Sequence, residues 1–194
     1  LTLLRLLALD PALIQAGLDG MPPDTVPSSK LEALLEHLTD VAAEGHRALV
    51  FSQFTSYLKL VAKRLDAEGI PYVYLDGATT KRAEVIASFK EGTAPVFLIS
   101  LKAGGFGLNL TEADYVFLLD PWWNPASEEQ AIDRTHRIGQ ERRVMVYRMI
   151  AEGTIEEKVM ALKDRKSKLF NAVIDDDELF STELSAEDIR ELLQ

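Results

Sequence analysis

Residues 95–120, PVFLISLKAGGFGLNLTEADYVFLLD, decide the fold of this chain. They contain two runs of consecutive apolar residues, one ending at Ser100 and the other at Asp120, separated by a glycine-rich connection. A strand that is apolar at every position has both faces buried, which is the pattern of a parallel sheet covered by helices. The stretch therefore predicts two strands of a parallel sheet, each followed by a polar residue at its end.

The same pattern continues on both sides of this stretch. Further strands are predicted in RALVFS (residues 47–52), PYVYLD (71–76) and RRVMVYRMIA (142–151). Amphipathic helices are predicted in SSKLEALLEHLTDVAAEG (28–45), FTSYLKLVAKRLDAEG (54–69) and TKRAEVIASFKEG (80–92). Ser29 with Glu32, and Thr154 with Glu157, have the spacing of helix-capping pairs. Strands that alternate with helices indicate an α/β fold, a parallel sheet with helices on both faces.

The composition excludes several kinds of site. The 194 residues include no cysteine, so neither disulfides nor a thiolate zinc site is possible. The three histidines, His37, His46 and His136, show no ligand spacing, so no metal site is expected. The apolar opening LTLLRLLALD is interrupted by Arg5 and is far shorter than the roughly 20 residues that span a bilayer. It predicts a short packed helix, and no membrane partner is expected.

The net charge of −10 is unevenly distributed along the chain. Residues 175–194 carry eight acidic residues and one basic residue, which leaves 23 acidic and 20 basic residues in the remainder. The body of the chain is therefore nearly neutral, and the last 20 residues are predicted to form an acidic tail. A neutral body does not exclude a nucleic acid as a partner.

Three loops at predicted strand ends are candidates for binding, because ligands of α/β proteins gather at the carboxyl ends of the strands. Ser52 and Gln53 follow the first strand, where ordinary turn chemistry explains them equally well. Residues 100–110 combine Lys102 with glycines that let the backbone approach a phosphate, although a tight turn also requires glycines. The third loop, DPWWNP (120–125), presents two tryptophans; Trp122 is expected to pack in the core, whereas Trp123 either packs or contacts a nucleic acid.

Residues 130–140, QAIDRTHRIGQ, place Gln130, Arg134 and Arg137 on one face of a predicted helix. Two guanidinium groups on one face suit an anion such as a phosphate. Alternatively, both arginines form surface ion pairs with carboxylates such as Asp133 or Glu129. The residues alone leave both interpretations open.

Several familiar motifs are absent from the sequence. It contains no G-x-x-x-x-G-K-[ST] triphosphate loop, no G-x-G-x-x-G dinucleotide fingerprint and no G-x-S-x-G nucleophile turn. A complete phosphoryl-transfer site is therefore not expected within this chain alone. The chain also starts at Leu1 rather than at Met, which suggests a fragment of something longer.

Four segments together carry a family resemblance: RALVFSQF, LDGATT, ISLKAGGFGLNLTEADYVFLLDPWWNP and EEQAIDRTHRIGQ. In this order and spacing they resemble motifs four to six of the Swi/Snf-type double-stranded-DNA translocases, a branch of the superfamily-two helicases. The resemblance covers roughly residues 30 to 174. RNA helicases of the DEAD-box group have an arginine where this chain has Gln140, which argues against that group.

The resemblance implies the second, carboxyl-terminal RecA-like lobe of a two-lobed motor. The implied organisation is an N-terminal helix and linker (1–29), the RecA-like lobe (30–153), a brace helix (154–174) and the acidic tail (175–194). The implied partners are double-stranded DNA and the N-terminal RecA-like lobe of the same polypeptide. That first lobe would hold most of the ATP and magnesium. The implied location is the cytoplasm of a prokaryote, in association with DNA, or the nucleus of a eukaryote.

The resemblance also implies roles for individual residues. Arg134 and Arg137 correspond to arginine fingers that reach the triphosphate from the second lobe. The nucleotide site further includes Gln130, Gly107 and Asp133. The DNA track comprises Ser52, Gln53, Ser100, Lys102, Gly105 and Trp123.

Two other classes of function remain open from the sequence. A non-catalytic α/β interaction module would use the acidic tail and the amphipathic helices as partner surfaces, and it would not need Arg137. An independent nucleotide-binding enzyme would bind or turn over nucleotide with this chain alone.

Overall fold

The computed structural model describes residues 1–14, 28–101, 110–122, 143–172 and 185–193. In chain order, these residues form helix α1 (Thr2–Leu9), a 3₁₀ turn (Pro11–Leu13), α2 (Ser29–Ala43), β1 (Ala48–Ser52), α3 (Thr55–Glu68), β2 (Tyr72–Leu75), α4 (Arg82–Glu91), β3 (Val96–Ser100), β4 (Tyr115–Leu118), β5 (Met145–Arg148), α5 (Ile155–Ala172) and α6 (Ala186–Leu193).

The five strands form one sheet in the order β2-β3-β1-β4-β5, and every pairing is parallel. β1 lies in the middle, with Ser52 opposite Ser100 of β3 and Phe51 opposite Leu118 of β4. The central strands β1 and β3 are buried at every residue, which confirms the interpretation of their continuous apolar runs.

Helices cover both faces of the sheet, as the alternation of elements predicted. On one face, Leu34 and Leu38 of α2 and Val61 of α3 pack against alternate strand residues such as Val50. On the other face, Phe89 of α4 packs against the intervening residues, among them Leu49, Phe97 and Val116. The period-two alternation of strand side chains thus divides the core into two layers.

The sequence patterns predict the capping residues of α2 and α5, with an error of one residue at α2. The cap of α2 is Ser28 rather than the predicted Ser29: Ser28 has extended backbone, and its hydroxyl accepts the Leu31 amide at 3.4 Å. Glu32 instead forms an ion pair with Arg64 at 3.1 Å. At α5 the predicted pair is correct, because Thr154 Oγ1 accepts the Glu156 amide at 3.2 Å and the Glu157 carboxylate accepts the Gly153 amide at 2.8 Å.

The chain ends pack together outside the sheet. Leu192 of α6 is buried with Ile155, Val159 and Leu162 of α5, and Ala8 of α1 packs against this group. The segment predicted only as an acidic tail therefore contains a short amphipathic helix. α1 is packed on one side only: Leu9 is buried, whereas Leu3 is 70% exposed.

Candidate functional site at the carboxyl edge of the sheet

The polar residues that end β1 and β3 lie side by side at one edge of the sheet, because parallel strands end in the same direction. Ser52 and Ser100 are paired in register and are both buried. β4 ends at the same edge and continues as Leu119, Asp120 and Pro121, the three residues that lead to Trp122. We call Leu119–Pro121 the exit segment of β4.

Asp120 is the centre of the hydrogen bonds at this edge. Its side chain is buried, with 3% of its surface exposed. Oδ1 accepts a short hydrogen bond from Ser52 Oγ, and both carboxylate oxygens lie 3.3 Å from the backbone nitrogen of Gln53. Ser52 Oγ in turn accepts the Phe54 amide at 3.0 Å. One buried carboxylate therefore joins the end of β4 to the turn between β1 and α3.

Burial raises the pKa of Asp120 above its ordinary range, because a charged carboxylate loses its hydration there. The hydrogen bonds from Ser52 and Gln53 and the nearby charge of Arg5 oppose this rise. The folded protein consequently holds a proton on Asp120 more tightly than the unfolded chain does.

Two cations from the helices bind the carbonyl groups of the exit segment. Lys30 Nζ of α2 donates to Leu119 O at 2.8 Å, and Arg5 Nη2 of α1 donates to Pro121 O at 3.1 Å. The side-chain amide of Gln53 also donates to Pro121 O, at 3.4 Å. Helices α1 and α2 and the turn after β1 therefore all contact the three residues that precede the tryptophans.

Lys30 also forms a buried ion pair with Glu156 at the start of α5. The distance between Nζ and Oε2 is 2.5 Å, and the two side chains are 4% and 2% exposed. Glu156 Oε2 additionally accepts the Ala151 amide at 2.8 Å. Burial lowers the pKa of Lys30 and raises that of Glu156, and the attraction between the two groups opposes both shifts. Lys30 thus connects the first turn of α5 to the exit segment.

The structure brings together three of the residues predicted to bind a ligand. Ser52, Gln53 and Ser100 meet at the carboxyl edge; Gln53 is half-buried and the two serines are buried. Eight predicted residues lie outside the described residues: Lys102, Gly105, Gly107, Trp123, Gln130, Asp133, Arg134 and Arg137. Their assignments stay predictions.

Sequence reasoning missed four residues of this edge: Arg5, Lys30, Asp120 and Glu156. Lys30 had a detectable signal, since it lies four residues before Leu34 and eight before Leu38, on the buried stripe of α2. A lysine on such a stripe needs a buried partner. Nothing in the local sequence identifies that partner as Glu156, which lies 126 residues further along the chain.

The described part of the chain has no candidate for a metal site or for a membrane-spanning helix. Among those residues, no three His, Asp or Glu side chains are placed to hold a metal ion. No helix found there combines the length and apolarity needed to cross a lipid bilayer.

Comparison with known proteins relates this architecture to a family of domains. Residues 29–139 match the model of the helicase conserved C-terminal domain. The crystal structure of the C-terminal part of the Fun30 ATPase domain is similar, with a TM-score of 0.69 and 29% identity over 96% of this chain and 55% of that one.

Longer proteins from fungi and bacteria are similar in sequence. DNA repair protein RAD5 of Cryptococcus neoformans is 49% identical over 77% of this chain, and ATP-dependent helicase rhp16 of Schizosaccharomyces pombe is 45% identical over 84%. The putative ATP-dependent helicase/translocase YwqA of Bacillus subtilis is 42% identical over 85%. The matched parts of these relatives are 13%, 20% and 17% of their own lengths.

Proposed function

Because this chain belongs to the family of helicase conserved C-terminal domains, as the C-terminal lobe of a Swi/Snf-type superfamily-two ATPase, we propose that it is the second motor lobe of an ATP-dependent double-stranded-DNA translocase. It supplies arginine fingers and part of a DNA track, and it does not hydrolyse ATP by itself. In the whole protein this motor is a translocase or a chromatin-remodeller-like ATPase.

One observation carries the proposal. The exit segment of β4 is fixed at the carboxyl edge by Asp120, Lys30 and Arg5, and it leads directly into the tryptophans and the arginine-bearing stretch 130–140. Binding and catalysis in open α/β sheets occur at this edge. Trp123, Arg134 and Arg137, which the family resemblance assigns to DNA and to nucleotide, thus follow this anchored segment in the sequence.

The proposed role of Arg134 and Arg137 is electrostatic. A planar guanidinium can donate two parallel hydrogen bonds to phosphate oxygens, and it stabilises the charge that spreads over these oxygens during phosphoryl transfer. Gln130, Asp133 and Gly107 are proposed to complete this side of the nucleotide site. ATP with its magnesium would be bound mainly by the N-terminal lobe, since this sequence has no phosphate-binding loop.

The proposed DNA track follows the ends of β1 and β3. Ser52 and Ser100 are buried, so their contribution is to fix the strand ends, while half-buried Gln53 and the residues Lys102, Gly105 and Trp123 would meet one DNA strand. Contacts to the phosphodiester backbone suit a motor that moves along any sequence, because phosphates position a protein without specifying bases.

The names of the similar proteins support DNA as the partner. They describe a DNA repair protein, an ATP-dependent helicase and a helicase/translocase. We extend duplex DNA and ATP to this chain on that basis. A DNA-associated location follows, in the cytoplasm of a prokaryote or the nucleus of a eukaryote.

Substitution of Arg137 in the full-length protein tests the proposal. Arg137→Ala should lower DNA-stimulated ATP hydrolysis about 10³- to 10⁵-fold, the range found for arginine fingers. Arg137→Lys should remain badly impaired, because lysine keeps the charge but loses the planar fork. The measurement is the steady-state ATPase rate at saturating duplex.

Arg64 provides a matched control for these substitutions. It forms a surface ion pair with Glu32 at 3.1 Å, and its side chain is 38% exposed. Arg64→Ala and Arg64→Lys should leave turnover close to that of the wild type, since such pairs contribute only about 0–1 kcal/mol of stability. If both Arg137 variants behaved like the Arg64 variants, the chain would instead be a non-catalytic interaction module.

A further inference from the structure

Arg5 connects the first helix of the chain to the carboxyl edge of the sheet. Its Nη2 donates to Pro121 O at 3.1 Å, and its guanidinium carbon lies 5.2 Å from the centre of the Phe54 ring. Burial lowers the pKa of Arg5, and the nearby carboxylates of Asp120 and Glu156 oppose this shift. α1 precedes residues 29–139, which match the family model, so this contact joins an element outside the matched region to the functional edge.

The hydrogen bond of Arg5 is important for the placement of α1, because this helix buries few apolar side chains against the rest of the protein. Leu9 is its buried leucine, while Leu3, Leu4 and Leu7 are 70%, 43% and 43% exposed. A hydrogen bond from a charged donor to a carbonyl group is stronger than one from a neutral donor. The other described donor to Pro121 O is the Gln53 amide, at the longer distance of 3.4 Å.

Pro121 O belongs to the peptide group that links Pro121 to Trp122. Because a peptide group is planar and includes the Cα atoms on both sides of it, a hydrogen bond that holds Pro121 O also restrains the position of the Trp122 Cα atom. Lys30 fixes the peptide of Leu119 in the same way, at 2.8 Å. The two peptide groups that lead to Trp122 are therefore held by α1 and α2 together.

We infer that Arg5 is a positioning residue, which orients the peptide group between Pro121 and Trp122 and makes that orientation depend on the placement of α1. This inference rests on the proposed function for its consequence: if Trp123 contacts DNA, a displacement of α1 changes that contact. Through the contact between Arg5 and Pro121, the position of α1, which precedes the lobe, would then affect the proposed DNA track of the lobe.

Intrinsic fluorescence tests this link directly, because Trp122 and Trp123 are the two tryptophans of the 194-residue chain. Arg5→Met keeps an unbranched stem against Phe54 but removes the guanidinium donor to Pro121 O, which leaves the Gln53 amide at 3.4 Å as the other described donor. We expect a red shift of the tryptophan emission and stronger quenching by acrylamide, with an unchanged far-ultraviolet circular dichroism spectrum. Arg5→Lys, which retains a charged donor, should restore part of the wild-type signal.

The matched control is Arg64→Met, the same substitution at the surface ion pair with Glu32. It should leave emission and quenching unchanged. If Arg5→Met and Arg64→Met gave the same signals as the wild type, the inference would be overturned. If Arg5→Met does not fold, Arg5→Gln replaces it, because the glutamine side chain is shorter than that of arginine. The expected and the contradicting results are the same as for Arg5→Met.

ATPase measurements on the full-length protein separate this inference from the proposed function. In Arg5→Met, the duplex concentration that gives half-maximal ATPase should rise more than turnover at saturating duplex falls. A wild-type protein without DNA-stimulated ATPase would contradict the proposed function, while the fluorescence result would still decide the role of Arg5. An active wild type with an unaltered half-saturating concentration in Arg5→Met would contradict the link between α1 and the DNA track.

Discussion

Asp120 is the residue on which the geometry of the candidate site depends most. Its carboxylate accepts hydrogen bonds from Ser52 and Gln53 and lies between two carbonyl groups that are bound by Lys30 and Arg5. A buried carboxylate is unfavourable unless such donors surround it. Here the donors to the carboxylate come from β1 and the turn that follows it, while α2 and α1 bind the carbonyl groups on either side, so three distant parts of the chain meet around Asp120.

The raised pKa of Asp120 gives a prediction for stability as a function of pH. Because the folded-state pKa lies above the ordinary value of 3.8, this group contributes most to stability when the pH is below 3.8. That contribution is lost as the pH rises through the folded-state pKa. Asp120→Asn keeps an acceptor but cannot ionise, so its stability relative to the wild type should increase as the pH rises from 3.8 through the folded-state pKa of Asp120.

Urea denaturation of both proteins at several pH values measures this difference. The change should amount to about 1.4 kcal/mol for each unit by which burial raises the pKa. Buried Glu156, whose pKa is also raised, is present in both proteins; because the charge of Asp120 contributes to that rise, the comparison measures Asp120 together with its effect on Glu156. A stability difference that stays constant across this range would contradict the prediction.

At the scale of secondary-structure elements, the Lys30–Glu156 pair joins α2 to α5. The pair is almost fully buried, and it also reaches the exit segment through Leu119 O and the turn before α5 through the Ala151 amide. Removing one member of a buried pair leaves an uncompensated charge, which is much more unfavourable than losing the pair as a whole. The helix predicted as a brace is thus fixed at its first turn to the candidate site.

A double-mutant cycle tests this connection. Lys30→Met and Glu156→Leu should each lower the free energy of unfolding by about 3–5 kcal/mol, whereas the double variant should lose much less than the sum. The lost hydrogen bonds to Leu119 O and from the Ala151 amide should still cost about 1 kcal/mol each. Urea denaturation of the four proteins gives the coupling energy.

The surface pair of Arg64 and Glu32 is the control for this cycle. Its members are 38% and 59% exposed, so the corresponding cycle with Arg64→Met and Glu32→Gln should give a coupling energy of at most about 1 kcal/mol. Equal coupling energies for the two pairs would show that burial does not strengthen the contact between Lys30 and Glu156.

The elements were predictable because their signals are local. Apolar runs and helical spacing correctly predict the five strands and helices α2 to α5, with a shift of one residue at the cap of α2, while the predicted helix that carries Arg134 and Arg137 lies outside the described residues. The order of the strands was not predictable from those signals, and it determines the site. The sequence identifies Ser52 as a polar residue at a strand end. Its hydrogen-bond partner Asp120 lies 68 residues further along the chain, and the two side chains meet because β1 and β4 are neighbours in the sheet.

At the scale of the whole molecule, three features agree with the proposal that this lobe works only as part of a longer polypeptide. Its sequence has no phosphate-binding loop, and its relatives are several times longer than the part they share with it. Its net charge of −10 also opposes the approach of a polyanion. Under the proposed function, the first two features make ATP hydrolysis depend on further parts of the polypeptide, and the third makes the affinity for DNA depend on them.

The 194-residue chain should therefore bind duplex DNA weakly, without sequence preference, and should not hydrolyse ATP. Binding that depends on phosphate contacts releases counterions, so the affinity should fall as salt rises. Titration of a labelled duplex at two salt concentrations, together with an ATPase assay on the same preparation, measures both properties. A random-sequence duplex and a single defined duplex should give the same curve. Tight, salt-independent binding would contradict a backbone-facing track, and turnover by the chain alone would indicate an independent nucleotide-binding enzyme.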